Sequence, residues 1–377
     1  MSSSGGSQVA AASVRIRADL DGVRGYVAGS SAVGAVKLSS NETSFPPLPG
    51  VAEAIARATQ DVNRYPDDDA VEFRDALAGR WGVRADEVII GCGSSLLCQE
   101  LVQATCAPGD RVAFGWRSFE AYRLYARTAH AEALTVPHRS DGRHDLVALA
   151  RAINDSPGTV GIVFLCTPNN PTGASIGPTQ LLRFLDAIPA TIPVVVDEAY
   201  IDFAPSDAVP AVNVYRVGRD NVIMLRTFSK AYGLAGLRVG YAIGNARILD
   251  AVRAIRSPFS ITAAAQAAAL AALDAEDELA ERVQLIRAER ERVRAALVRQ
   301  GTPVWRSDAN FLWLPLGDES AAFAEQCRSQ DVLVRSFAPD GVRVSIGTPE
   351  ENDRFLTAAR SRPRRSSPHD RPEGTPA

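Results

Sequence analysis

Residues 160–166 read VGIVFLC, a run of seven residues without a charged side chain, and the residues behind it, 167–173, read TPNNPTG. A short run of β-branched and aromatic residues is typical of a strand that is covered on both faces. The Asn, Pro and Gly residues that follow are typical of a turn. The segment therefore predicts a central strand of a parallel sheet that ends in a polar loop.

Comparable apolar runs lie on both sides of this segment. They alternate with stretches of helical periodicity, which indicates crossover connections and a mostly parallel sheet covered on both faces. The predicted fold class is therefore α/β. The runs are VIIG at 88–91, RVAF at 111–114, PVVVD at 193–197, NVIMLRT at 221–227 and RVGYAI at 238–243.

The pattern changes after Arg247. Long helices and then short strands indicate a smaller α+β domain beside the α/β domain. The helices are predicted over 262–274 and 277–300, and the strands near 311–314, 332–335 and 342–346. The predicted division is a disordered tail at 1–13, an N-terminal segment at 14–44 that packs with the small domain, a large α/β domain at 45–250, the small domain at 251–361 and a disordered tail at 362–377.

Length and composition narrow the class of protein. The chain has 377 residues, of which 46% are apolar and 23% charged, and its net charge is −3, so it can bury a large core. No apolar run approaches the roughly 18 residues of a membrane helix, and the beginning, MSSSGGSQ, lacks the features of an export signal. We expect a cytoplasmic protein with neither a membrane nor a nucleic-acid partner.

The numbers and positions of the cysteines, histidines and lysines predict the thiol state, metal binding and a candidate nucleophile. The five cysteines form no C-x-x-C pair and the four histidines no cluster, so we expect reduced thiols and no metal site. Of the 41 basic residues, 39 are arginine, and the only lysines are Lys37 and Lys230. Lys230 ends an apolar strand, where a buried amine loses pKa and becomes a nucleophile, which arginine cannot do. Lys37 is interpreted as a solvated or salt-bridging lysine.

Polar sequences follow four of the predicted strands: GCGSS, TPNNPTG, DEAY and TFSK. Because ligands bind at the carboxyl ends of parallel strands, we expect these groups to converge on one crevice. GCGSS can cradle a phosphate at a helix N-terminus or form a tight turn, and Asp197 can meet a cation or cap a helix. An amine, an anion cradle and a buried carboxylate together predict a site for pyridoxal 5′-phosphate.

The motifs resemble those of fold-type I pyridoxal-phosphate aminotransferases. They occur in the order NET, NRYPD, GCGSS, NNPTG, DEAY, SKAYGLAGLRVGY and VRVSIGTPEEN, so that the resemblance covers about residues 14–360. The most similar branch contains the histidinol-phosphate and the aromatic aminotransferases. The resemblance implies a seven-stranded type of sheet in the large domain and a homodimer with composite active sites.

The resemblance also implies the roles of individual residues. Lys230, Asp197 and Tyr200 are the catalytic residues: Lys230 binds the cofactor covalently and Asp197 keeps the ring nitrogen protonated. Asn170 and Tyr200 bond the ring hydroxyl. The other implied cofactor-binding residues are Ser94, Ser95, Ser229 and Arg238 at the phosphate, Thr227, Phe119 stacked on the ring, and Tyr65 reaching the phosphate of the neighbouring subunit. The implied substrate-binding residues are Arg343, which grips the α-carboxylate, and Asn41, Tyr26 and Arg335.

The segment GWRSFEAY, residues 115–122, favours one of the two branches. A Pro-Thr-Tyr-like stretch is expected here in a histidinol-phosphate aminotransferase, and GWRSFEAY is more similar to the aromatic branch. We therefore expect transamination between an aromatic amino acid (phenylalanine, tyrosine or tryptophan) and 2-oxoglutarate. The alternatives are transamination of histidinol phosphate, a decarboxylation with the same cofactor, and the sensing domain of a regulator, for which no helix-turn-helix pattern precedes Asn41.

Overall fold

The computed structural model describes residues 16–17, 20, 23, 25–26, 29, 32–205, 208 and 210–360. The predicted tail at 1–13, and the tail at 362–377, lie outside these residues. Within the described part of the chain, no helix is both long enough and apolar enough to cross a membrane.

The strands are short, and most coincide with the predicted apolar runs. In chain order they are β1 (Val36–Lys37), β2 (Val88–Gly91), β3 (Arg111–Trp116), β4 (Glu132–Pro137), β5 (Val160–Cys166), β6 (Val194–Asp197), β7 (Val222–Thr227), β8 (Gly240–Ile243), β9 (Phe311–Leu314), β10 (Val332–Leu333), β11 (Arg335–Phe337) and β12 (Gly341–Ser345).

The α-helices connect these strands and cover the sheets. They are α1 (Val51–Ala58), α2 (Val71–Trp81), α3 (Gly93–Thr105), α4 (Ala121–Thr128), α5 (Leu146–Asn154), α6 (Pro178–Asp186), α7 (Ala211–Arg216), α8 (Ala246–Ile255), α9 (Ala263–Asp274), α10 (Glu276–Arg299), α11 (Ser320–Arg328) and α12 (Pro349–Arg360).

Seven strands form the large sheet, in the order β2-β8-β7-β6-β5-β3-β4. β8 runs in the opposite direction to the other six strands of this sheet, so the prediction of a mostly parallel α/β sheet is confirmed. The edge strand β4 was not predicted, because its residues are only partly buried and do not form an apolar run. The predicted strand at 238–243 begins later, at Gly240, because Arg238 has the left-handed φ of 55°.

The large sheet is buried on both faces. Alternate residues of β5 pack into two separate apolar clusters: Ile162 and Phe164 into one, Val163 and Leu165 into the other. This alternation is the period of two that a strand imposes. It explains why the central runs are continuously apolar, as expected for a sheet covered by helices on both sides.

The C-terminal strands form two smaller sheets. In the antiparallel sheet β11-β12-β9, Arg335 lies directly opposite Arg343. The predicted strand at 332–335 is split, because Val332 and Leu333 instead pair in parallel with Val36 and Lys37 of β1. The N-terminal segment thus pairs with a strand of the C-terminal part of the chain. The domain boundaries themselves stay a prediction.

Candidate active site

A cavity of about 470 Å³ opens where β6 and β7 end at the carboxyl edge of the large sheet. This is the position in which an open parallel sheet binds its ligand. Twelve of the fifteen predicted site residues line it: Tyr26, Ser94, Ser95, Phe119, Asn170, Asp197, Tyr200, Thr227, Ser229, Lys230, Arg238 and Arg343.

Lys230 lies three residues beyond the end of β7 and reaches into the middle of this cavity. Its Nζ donates a long hydrogen bond of 3.4 Å to the carbonyl of Ser40 and lies 5.7 Å from the centre of the Tyr200 ring. Burial, and next the positive charge of Arg343, lower the pKa of Lys230 to about 7. A large fraction of this amine is therefore unprotonated near neutral pH, as a nucleophile requires.

Asp197 is the last residue of β6 and its side chain is buried. Oδ1 accepts a hydrogen bond of 3.2 Å from the Ala199 N–H, and Oδ2 accepts one from the Tyr122 hydroxyl. Burial raises the pKa of this carboxyl, whereas the two hydrogen bonds and the charge of Lys230 oppose the rise. A cation bound against Asp197 would complete the compensation of its buried charge.

The N-terminus of α3 forms one wall of the cavity. Gly93, Ser94 and Ser95 are its first residues, and their N–H groups have no earlier turn of helix to bond. Gly93 has a φ of 74°, and a Cβ there would lie 2.5 Å from a guanidinium nitrogen of Arg238. The absent side chain lets Arg238 approach the helix end, so that a guanidinium and a helix N-terminus face the same space.

A chain of hydroxyl groups extends this wall. The Thr227 hydroxyl donates to the Ser229 Oγ over 2.9 Å, and Arg238 donates to the same Oγ over 3.3 Å. Arg238 is also held by the carbonyl of Ala235 at 2.9 Å. Hydroxyl, amide and guanidinium donors around one space form a site for a phosphate group.

Arg343 also lines the cavity, and its side chain is buried. Its two Nη atoms donate to the Oδ1 of Asn170 over 2.6 Å and to the carbonyl of Ser39 over 2.9 Å. Its Nε is buried and bonds no residue that the structure describes. Both partners are neutral, so an anion from outside the chain would compensate this charge and reduce the cost of its burial.

Tyr200 and Asn41 form a polar pair beside Lys230. Asn41 donates from Nδ2 to the Tyr200 hydroxyl over 3.0 Å and accepts from the Ser345 hydroxyl over 3.0 Å. Tyr200 lines the cavity, whereas Asn41 lies behind it. The structure thus brings Asn41 to the tyrosine and to β12; its predicted contact with substrate stays a prediction.

Aromatic rings close the side of the cavity next to α4. Phe119 contacts the Tyr26 ring edge-to-face at 6.1 Å and the Tyr122 ring at 5.5 Å. Tyr122 also stacks on Phe164 of β5 at 4.5 Å, which anchors Phe119 on the core. An apolar ring bound here would meet aromatic faces and edges.

Besides Asn41, two more predicted residues lie outside the main cavity. Arg335 lines a smaller adjoining cavity together with Tyr26 and Arg343. Tyr65 is 82% exposed and stacks on Phe259 with the ring centres 4.5 Å apart. Within this single chain, therefore, Tyr65 does not reach the other predicted residues.

Several polar residues of the site were not predicted from the sequence. Tyr122 holds Asp197, and Tyr125 bonds the Ser95 hydroxyl. Tyr122 and Tyr125 both lie on α4, and their spacing of three residues, which places them on one side of the helix, was the signal in the sequence. Lys37 forms the expected ion pair, with Glu42 at 2.7 Å, but both residues line the same cavity as Lys230. No local pattern showed this proximity.

Among the residues that the structure describes, no three His, Cys, Asp or Glu side chains are grouped so that they could hold a metal ion.

The family described as aminotransferase class I and II matches residues 33–358 of the chain. The chain belongs to this family. The aminotransferase is 51% identical to the aromatic amino acid aminotransferase of Nocardia farcinica over 351 residues, which cover 92% of this chain and 97% of the relative. It is 49% identical to the aromatic amino acid aminotransferase of Thermobifida fusca, with coverage of 93% and 98%. The resemblance drawn from the motifs is thereby confirmed.

A solved structure supports the same conclusion for the fold. The histidinol-phosphate aminotransferase of Sinorhizobium meliloti, in complex with pyridoxal-5′-phosphate, superimposes on the aminotransferase with a TM-score of 0.83 at 28% identity. The alignment covers 93% of this chain and 98% of that chain. The predicted fold class is confirmed over most of the molecule.

Proposed function

We propose that this aminotransferase exchanges an amino group between an aromatic amino acid and 2-oxoglutarate, with pyridoxal 5′-phosphate as its cofactor. The proposed substrate class rests on sequence identity: over more than nine-tenths of the chain, about 50% of the residues are identical to those of relatives named aromatic amino acid aminotransferase. Histidinol phosphate is the less favoured amino donor, since the enzyme of that name is only 28% identical.

The residues of the cavity fit the cofactor. Lys230 would bind it covalently, and the end of α3 with Arg238 would hold its phosphate, where Gly93 leaves space for the guanidinium. Asp197 has a buried carboxyl that forms no ion pair with any residue that the structure describes, and it would pair with the protonated ring nitrogen. Once bound, pyridoxal 5′-phosphate supplies an electron sink that stabilises negative charge at the substrate α-carbon.

The other ring contacts follow from the same geometry. Phe119 would stack on the ring. Asn170 and Tyr200 would bond its hydroxyl, with Tyr200 oriented by Asn41. These contacts fix the cofactor so that Lys230 and the substrate lie on a defined side of it.

Arg343 would bind the α-carboxylate that the amino acid and the keto acid share. Its Nε is buried and is bonded by no described residue, and carboxylates match the planar guanidinium with two charge-assisted bonds. The aromatic side chain would then lie against Tyr26 and Phe119. A phenylalanine ring gains roughly 2 to 3 kcal/mol from such burial.

Lys230 would then serve as the general base. Its Nζ would take the proton from the α-carbon of the amino acid and deliver it to carbon C4′ of the cofactor, and in the second half of the reaction it would move a proton in the opposite direction. A pKa near 7 suits both directions, because the amine can take and release a proton at neutral pH.

The proposal includes a homodimer. Tyr65 is exposed, and the Tyr65–Phe259 stack presents an aromatic surface on which a second copy can pack. In such a dimer Tyr65 would donate to the cofactor phosphate of the neighbouring subunit. Each active site would then need residues of both chains.

A substrate panel on the purified, cofactor-loaded protein tests the proposed function. Phenylalanine, tyrosine, tryptophan, aspartate and histidinol phosphate are compared as amino donors with 2-oxoglutarate as the acceptor. We expect the highest kcat/KM with an aromatic amino acid. A higher value with histidinol phosphate or aspartate than with every aromatic donor would overturn the proposal.

A further inference from the structure

An ion pair lies at the outer end of the candidate active site. Arg335 Nη2 lies 3.1 Å from the Oε2 of Glu120. Both residues line the small cavity of about 10 Å³ that adjoins the main cavity and shares Tyr26 and Arg343 with it. The pair therefore lies next to Arg343, at the edge of the main cavity.

The two arginines of this region are neighbours by strand register. Arg335 and Arg343 lie directly opposite each other in the antiparallel pair β11-β12, so their side chains project from the same face. Both guanidinium groups also lie over the Phe337 ring, at 5.3 and 5.5 Å. Two adjacent positive charges would strongly attract a dianion such as a phosphate monoester.

Glu120 changes this charge balance. It lies at the start of α4, in the segment GWRSFEAY, and its carboxylate also receives Arg117 at 3.5 Å. Arg117 itself is held by Asp340, to which its Nε donates over 2.6 Å. Among the described residues that line the small cavity, Glu120 is the acidic one, and its carboxylate pairs with Arg335.

We propose that Glu120 determines substrate specificity by neutralising Arg335. The outer end of the site then offers no net positive charge to a side chain, accepts an uncharged aromatic ring and rejects an amino donor that carries a phosphate. A phosphate would have to displace the Glu120 carboxylate from Arg335 and would then lie beside that negative charge. This inference rests on the proposed function, because it concerns the side chain of the same substrate.

The test compares amino donors in the variant Glu120→Gln, which keeps the shape of the side chain and removes its charge. In a ping-pong reaction kcat/KM for the amino donor does not depend on the keto acid. We expect the ratio of kcat/KM for histidinol phosphate to that for phenylalanine to rise at least about tenfold, a modest effect for one charge at a partly buried site. Inhibition by inorganic phosphate, competitive with phenylalanine, should strengthen in parallel.

Two further variants separate specificity from structure. Asp340→Asn removes a neighbouring negative charge that pairs with Arg117 and should leave the ratio within about twofold of the wild type. In Glu120→Gln combined with Arg335→Met the gain should disappear, because it acts through the released guanidinium. Glu120→Ala, tested in the same two assays, replaces Glu120→Gln if that variant accumulates poorly.

The outcomes distinguish the two proposals. A wild type that is inactive on aromatic amino acids overturns the proposed function. A wild type that is active on phenylalanine, with an unchanged ratio and unchanged phosphate inhibition in the Glu120 variants, overturns this inference alone. A gain that persists without Arg335 overturns it as well.

Discussion

The cavity has two sides that are built in different ways. The cofactor side, formed by Ser94, Asp197 and Lys230, lies at strand ends and a helix N-terminus of one sheet. The substrate side, formed by Glu120, Arg335 and Arg343, combines a loop of the large sheet with two strands of a small one. In our proposal the chemistry is carried by residues on regular elements of one sheet, whereas the choice of substrate depends on charges brought together from distant segments.

The largest effect should come from Lys230. Lys230→Ala removes the base that moves the α-carbon proton, and a positioned base contributes about 10² to 10⁴ in rate, so kcat should fall at least about a thousandfold. Borohydride reduction of the wild type should leave the cofactor on the peptide that contains Lys230. The variant Lys37→Arg should keep this label. A label on Lys37, the second lysine of the cavity, would contradict the assignment.

Asp197→Asn tests the proposed cofactor side of the cavity. It keeps the volume and removes the charge that would pair with the ring nitrogen, so kcat should fall by about 10² or more while KM changes less, because about 1.4 kcal/mol corresponds to each tenfold. Glu198→Gln is the matched control, since Glu198 pairs with Arg226 and does not line the cavity. It should lower the melting temperature and spare kcat. A near-normal kcat in Asp197→Asn would show that Asp197 acts only as a helix cap.

Arg343→Lys tests the substrate side. It keeps the positive charge but loses the planar fork, and each charge-assisted bond is worth about 1.5 to 3 kcal/mol. We therefore expect kcat/KM for phenylalanine and for 2-oxoglutarate to fall together by about tenfold or more. A loss confined to one of the two substrates would show that Arg343 does not bind the carboxylate that they share.

Tyr122→Phe tests whether the Tyr122 hydroxyl of α4 controls the ionisation of Asp197. The Tyr122 hydrogen bond lowers the pKa of Asp197 against the effect of burial, so its loss should raise that pKa further. Asp197 must be ionised, so the acidic limb of the kcat profile should move to higher pH, with activity lost as pH falls. The expected loss of kcat is about three- to tenfold, the worth of one hydrogen bond of about 1 kcal/mol. An unchanged pH profile would contradict this coupling.

The smallest effect concerns Tyr65. Tyr65→Phe should cost about fivefold in kcat/KM, as expected for one phosphate contact of about 1 kcal/mol. Mixed with Lys230→Ala chains, it should give dimers that regain one site with both native groups. Mixed dimers no more active than the sum of the parents would show that Tyr65 acts within its own chain.

The features that the sequence determined are local. The apolar run at 160–166 matches β5 residue for residue, because a strand buried on both faces needs apolar side chains at every position. Lys230 stood out as one of two lysines in an arginine-rich chain. The polar turns at the strand ends marked the crevice, since parallel strands bring their carboxyl ends to one edge.

Tertiary structure alone decided which distant residues meet. Tyr122 bonds Asp197 from 75 residues away, and Glu120 pairs with Arg335 from 215 residues away. Lys37 joins the cavity of Lys230 because β1, a strand too short to be predicted from periodicity, pairs with β10. Local patterns specify which face of an element is apolar; the packing of sheets and helices against one another specifies which polar side chains share a cavity.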